Sequence, residues 1–202
     1  MDESARLADR ERFEGALRAT GRGGVENVLN ELGRLGFFEA PASTKFHLAE
    51  KGGLLRHSLN VYDQARLLRQ VECRVRPDLA ERLPEDGVAV ASLLHDVCKA
   101  DVYREELKHR KVGGRWEDYV GYAYDSSSFP LGHGEKSVIR LLRWGLEMTD
   151  DEMIAIRWHM HAWDLADSPE ARGSYGSASD RCPLLAILVA ADGLAAHIQE
   201  AK

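Results

Sequence analysis

Residues 85–103, "EDGVAVASLLHDVCKADVY", decide the fold. Val88, Val90, Leu93 and Leu94, with Ala89 and Ala91 between them, make the helix nearly all-apolar, and such a helix is one buried in the middle of a domain. Into that run the chain sets His95 and Asp96 side by side, followed by Lys99. A buried polar pair without partners costs a few kcal/mol and an isolated charge costs more, so such residues are paired, hydrogen-bonded or bound to a metal. Neighbours on a helix lie about 100° apart, so His95 and Asp96 both reach a point lying off the edge between their directions. Lys99, four and three residues further on, falls on the same side. Taken alone, a His-Asp dipeptide is more often a surface pair than a ligand set, and the rest of the chain has to decide.

Working outward, residues 54–71, "LLRHSLNVYDQARLLRQV", read as a helix that brings His57, Val61 and Leu68 near one stripe. Residues 183–200, "PLLAILVAADGLAAHIQE", form another apolar helix interrupted by an acid, Asp192. Thr149 and Glu152 make a capping box ahead of "DDEMIAIRWHMHAW", which carries His159 and His161. "FPLGHGEKSV" offers His133 at a helix entrance. Polar ligand types thus recur as H, HD, H, H, D in apolar or small-residue helical settings. Imidazole and carboxylate together suit Fe, Mn, Zn or Ni, and ligands drawn from several helices are how a helical bundle builds a metal centre.

The remaining segments frame this core. Residues 5–36 read as two polar amphipathic helices broken near "TGRGG", a helical preface for which we expect the bounds 1–37, ahead of a main domain at 38–202. "APASTKFHLAEKGG" is a connecting loop. Residues 105–125, with Gly113 and Gly114 between flanks of Val, Trp and Tyr, predict a β-hairpin near 105–124 inserted between helices. Its Trp116, Tyr119, Tyr122 and Tyr124 either stack a base or form the packed face of a strand. "ADSPEARGSYGSASDRCP", residues 166–183, reads as a long Gly/Ser-rich loop able to cover a substrate. The expected fold class is therefore all-α with one small hairpin.

Composition narrows the classes. A chain of 202 residues, 44% hydrophobic and 30% charged, fits one sizeable core. A formal net charge of −6 argues against coating long nucleic acid, though a local cation cluster or metal still holds a small anion. Cys73, Cys98 and Cys182 form no CxxC pair, which suits a reducing compartment, and the charged N-terminal stretch lacks an apolar signal region. The expectation is a cytoplasmic protein with no membrane span.

With these residues in view, the chain resembles the HD-domain superfamily of metal-dependent phosphohydrolases, whose pattern is H...HD...D. "LLRHSLNV", "LLHDVCKAD" and "VAADGLAA" carry the likeness, and "GHGEKS" and "IRWHMHAWD" resemble the subset with two further histidines, over roughly residues 38 to 198. The resemblance implies an HD-type helical bundle in which His57, His95, Asp96 and Asp192 hold a first ion. Asp96 would bridge to a second ion held by His133 and His159. His161, two positions from His159 and about 200° round a regular helix, shares the ion only if the helix ends there. It is otherwise an outlying or surface residue.

The resemblance further implies one or two divalent transition-metal ions and hydrolysis of a phosphomonoester or phosphodiester, such as a nucleotide or short oligonucleotide, through a metal-activated water. Asp96 and Lys99 would act in catalysis, and Lys99, Lys136, Arg157 and Lys45 would meet the substrate, with Ser43 and Thr44 as weaker candidates. Oligomeric state is not readable. Two rival readings stand beside this one: a di-iron oxygenase of the same superfamily, and a ligand-binding module that keeps the site without turnover.

Overall fold

The computed structural model describes residues 3–125, 129–161 and 168–201. The chain runs through α1 (Glu3–Arg18), α2 (Val25–Leu35), α3 (Gly53–Val75), the single turn α4 (Leu79–Arg82) and α5 (Glu85–Leu94), then a 3-10 helix (Val97–Asp101). An antiparallel pair, β1 (Tyr103–Val112) and β2 (Arg115–Tyr124), precedes α6 (His133–Arg143), α7 (Asp150–Trp158), α8 (Pro169–Arg181) and α9 (Pro183–Leu194), which ends in a π turn (Ala195–Gln199). The fold is mostly helical with one two-stranded sheet among the described residues.

α5 is buried at every position from Gly87 to Leu94 and packs against α3, α7 and α9. The α-helix stops sooner than its apolar run suggests. It ends at Leu94, and Asp96, with φ −107° and ψ 20°, turns the chain into the 3-10 helix. His95 and Asp96 therefore sit at a helix end, where the chain is free to aim consecutive side chains in ways a continuous helix forbids. Phe13 and Leu17 of α1 and Val28 and Leu32 of α2 join Leu54, Leu93 and Leu188 in one buried apolar cluster. Phe13, Phe37 and Phe38 pack ring on ring, with Phe13 and Phe37 centroids 5.3 Å apart.

α7 begins as its sequence directs. Thr149 Oγ1 accepts from the Glu152 amide at 3.3 Å and Glu152 Oε2 accepts from the Thr149 amide at 2.9 Å, a reciprocal cap worth about 1 kcal/mol. The C-terminal end of α7 meets the start of α6 at Gly134, where a Cβ would stand 2.1 Å from the Arg157 carbonyl oxygen. Only glycine permits that approach, and it brings His133 and His159 within reach of one another.

Two expectations need correction. The stretch 166–183 is not a long loop: from Ser168 onward it caps and winds as α8, with Ser168 Oγ accepting from the Ala171 amide at 3.2 Å and Pro169 at the first helical position. Ala166 and Asp167 lie outside the described residues. The hairpin pairs from Tyr103↔Tyr124 to Val112↔Arg115 across Gly113 and Gly114, whose φ values of 56° and 87° are what a tight hairpin turn needs. Its aromatics do not form one packed strand face: Tyr122 is half-buried, whereas Trp116, Tyr119 and Tyr124 are exposed, Tyr124 packing edge-on against Tyr103. Trp116 is 72% exposed near the tip, and at about 3.4 Å per residue it stands roughly 27 Å along the strand from Tyr124.

Candidate metal centre

His57 comes from α3, His95 and Asp96 from the end of α5, His133 from the first position of α6, His159 from the C-terminal end of α7 and Asp192 from α9. Five elements supply one cluster, with the Asp96 carboxylate at its middle. Asp96, 1% exposed, turns Oδ2 toward His95 Nε2 at 3.4 Å, His57 Nε2 at 3.7 Å and the Lys99 ammonium at 2.6 Å. It turns Oδ1 toward His133 Nε2 at 3.2 Å and His159 Nε2 at 3.5 Å. Asp192 Oδ1 lies 3.3 Å from His57 Nε2.

The ring orientations are fixed from behind. His95 Nδ1 is 2.8 Å from the Ser92 carbonyl and His159 Nδ1 is 2.7 Å from the Ile156 carbonyl, so in both rings Nδ1–H donates to the backbone and Nε2 keeps its lone pair. For His57 the same task falls to Glu200, whose two carboxylate oxygens each stand 3.1 Å from Nδ1. Asn60 Nδ2 in turn donates to Glu200 Oε1 at 2.9 Å. These are the supports by which a histidine ligand is given one tautomer and one direction.

The front faces are left without hydrogen bonds. His95 Nε2, His133 Nε2, His159 Nε2 and Asp96 Oδ1 are all buried and have no hydrogen-bond partner. Orphaned buried atoms that point at one another are costly as a bare arrangement and are what a cation would satisfy. Among the described residues, His57 with His95 and Asp96, His95 with His159 and Asp192, and Asp96 with Cys98 and His133 each bring their ligand atoms within 4.8 Å of one another. This buried His/Asp/Cys cluster can hold a metal ion.

The electrostatics run the same way. Burial opposes ionisation of Asp96, but Lys99 and His95 outweigh it and hold the carboxyl well below its usual range. Lys99 is pushed down by burial and up, by more, by Asp96. Burial lowers His95. His57 and His133 go the other way: against burial, the carboxylates of Asp192 and Glu200 raise His57 to about 9, and Cys98 and Asp96 raise His133 to about 10. Asp192 is depressed despite its burial, with His57 the chief cause.

A cavity of about 190 Å³ opens over the cluster, lined by His47, His57, Lys99, His159, His161 and Asp192 together with His197. His161 meets the condition set for it. α7 ends at Trp158, and His161, at φ 34°, faces this cavity, although it belongs to none of the three groupings above. Of the residues expected to meet substrate, Lys99 alone lines the cavity. Lys136 is buried with its ammonium 3.5 Å from Asp101 Oδ1, and Arg157 pairs with Glu135 while its guanidinium lies 4.0 Å from the Trp158 ring. Lys45 is exposed above Phe46, Thr44 is half-buried, and Ser43 Oγ donates to the His47 carbonyl. Sequence reasoning missed His47, His197, Glu200 and Cys98. His47 stacks on His57 with centroids 5.0 Å apart, and its Nε2 is another buried atom without a partner.

No family model, curated protein or solved structure matches the chain. Among the described residues no single helix is long and apolar enough to cross a membrane, and the bent pair α8–α9, which passes that test together at 101°, includes the core helix α9.

Proposed function

We propose that the chain is an HD-type metal-dependent phosphohydrolase acting on a phosphomonoester or phosphodiester, with a nucleotide or the end of a short oligonucleotide as substrate. The observation that carries this reading is Asp96: one buried carboxylate with an oxygen turned toward each of two histidine sets, which is the arrangement of a bridging ligand. His57, His95 and Asp192 would hold the ion on the Oδ2 side, and His133 and His159 the ion on the Oδ1 side. When bound, divalent ions supply Lewis acidity, lowering the pKa of water and stabilising phosphoryl oxygens.

The chain's own residues do the rest. Lys99, 12% exposed, sits at the junction of Asp96 and the cavity, placed as a fixed cation to pair with a phosphoryl oxygen. The cavity, about 190 Å³, is smaller than the roughly 300 Å³ at which small-molecule sites begin. It suits a phosphoryl group and the start of its ester, with the remainder of the substrate outside.

The test is a hydrolysis screen of the metal-loaded protein against nucleotides, cyclic nucleotides and short RNA, with Asp96→Ala in parallel. Loss of both metal and turnover in the variant is the expected result. Turnover and metal content unchanged in Asp96→Ala would remove the site from this location. Oxygen consumption without phosphate release would replace hydrolysis by di-iron oxygenase chemistry, and metal without either would leave a binding module.

A further inference from the structure

We infer that Cys98 is a sulfur ligand of the metal position it shares with Asp96 and His133, so that this half of the centre selects a borderline or soft ion such as Zn²⁺ or Fe²⁺ over Mg²⁺ or Mn²⁺. The inference rests on the metal reading above and goes beyond it by naming a further ligand and the class of ion.

On a continuous α-helix Cys98, two residues after Asp96, would face about 200° away from it. The helix is not continuous. α5 ends at Leu94, and the turn at Asp96 leads into the 3-10 helix on which Cys98 stands. As a result a Cys98 sulfur, an Asp96 oxygen and a His133 ring nitrogen all lie within 4.8 Å of one another. Cys98 is 2% and Asp96 1% exposed. Asp96 Oδ1 and His133 Nε2, both buried, face one another at 3.2 Å. Cys98 would add a sulfur donor to a carboxylate oxygen and a ring nitrogen that already face one another. A divalent ion between the three satisfies all of them.

A Cys–His nucleophilic pair is the other chemistry this contact suggests. It needs a thiol that substrate can reach. Cys98 is 2% exposed and does not line the cavity, and the Ser137 hydroxyl on α6 accepts from its backbone amide at 3.2 Å. Thiolate is also the ligand that shifts preference toward Zn²⁺ and Fe²⁺, whereas carboxylate and water suit Mg²⁺ and Mn²⁺.

The full chain loaded with Zn²⁺ should give sulfur scattering at about 2.3 Å in X-ray absorption at the zinc edge, one sulfur per chain spread over the ions bound. Loaded with Co²⁺, it should show an intense thiolate-to-cobalt charge-transfer band in the near ultraviolet. Cys98→Ser should abolish the band and lower Zn²⁺ affinity by more than about tenfold, with Mn²⁺ affinity little changed. The wild-type X-ray absorption decides the matter even where the variant folds poorly. Purely nitrogen and oxygen scattering in a protein that does bind zinc overturns the inference and leaves the metal centre standing. A wild-type chain that binds no metal at all overturns both.

Discussion

At the scale of the residue, the site depends on what stands behind each imidazole. Glu200 holds His57 Nδ1 through both carboxylate oxygens, and burial of Glu200, which opposes its charge, is overcome by His57 so that its carboxyl is held below the usual range. Glu200→Ala should lower metal affinity by about 10–100-fold in a chelator competition, and Glu200→Gln, which keeps an acceptor, should recover part of the loss. Equal affinity in wild type and Glu200→Ala would mean that His57 is oriented without it. The six positions His57, His95, Asp96, His133, His159 and Asp192 stood out in the sequence because each sets a polar group in an apolar or small-residue helical context. Glu200 does not stand out. "HIQE" reads as the polar end of a helix, and on a regular α-helix Glu200 would lie about 80° round from Asp192. The π turn, closed by the Glu200 amide donating to the Ala195 carbonyl at 3.0 Å, has less rotation per residue and swings Glu200 onto the face where Asp192 meets His57. No periodicity contains that turn.

At the scale of the element, the site is a product of where helices stop and how closely they approach. α5 stops at Leu94 and α7 at Trp158, and each is followed at its C-cap by a histidine whose Nδ1 donates to the carbonyl three residues back. α6 starts with His133, and the next residue, Gly134, lets it touch the α7 backbone. Gly134→Ala should force α6 and α7 apart, because its Cβ would meet the Arg157 carbonyl oxygen at 2.1 Å. The expected outcome is loss of the ion on the Oδ1 side of Asp96, seen as reduced metal content, with a destabilisation of about 1–3 kcal/mol in denaturant unfolding. A Gly134→Ala chain with wild-type metal content and stability would show that this approach is unimportant. The helices themselves were legible from apolar periodicity, and the hairpin from its Gly-Gly turn. α8 was not, because glycines and serines suggest a loop. Its start signal was present all the same, in Ser168, Pro169 and Glu170 as cap, first position and first-turn acid.

At the scale of the whole molecule, a chain of net charge −6 buries a His/Asp cluster whose His57 and His133 imidazoles carry extra protons. His57 at about 9 and His133 at about 10 are both protonated at pH 7, and an ion binds only neutral imidazole. Because these folded-state values lie above the unfolded value of 6.5, protonation stabilises the metal-free fold fully below pH 6.5. That contribution disappears as pH rises through about 9 and then about 10. Metal uptake at pH 7 should therefore release on the order of two protons and tighten as pH rises toward that window, measured as the dependence of binding enthalpy on buffer ionisation. Enthalpies identical across buffers would mean that both rings are already neutral. The measurement that bears most directly on the account is elemental analysis of freshly purified wild-type protein. Wild-type protein is expected to carry stoichiometric transition metal, approaching two ions per chain, held on the two sides of Asp96. A folded chain that carries none, and takes up none when Zn²⁺, Fe²⁺, Mn²⁺ or Ni²⁺ is supplied, would contradict it.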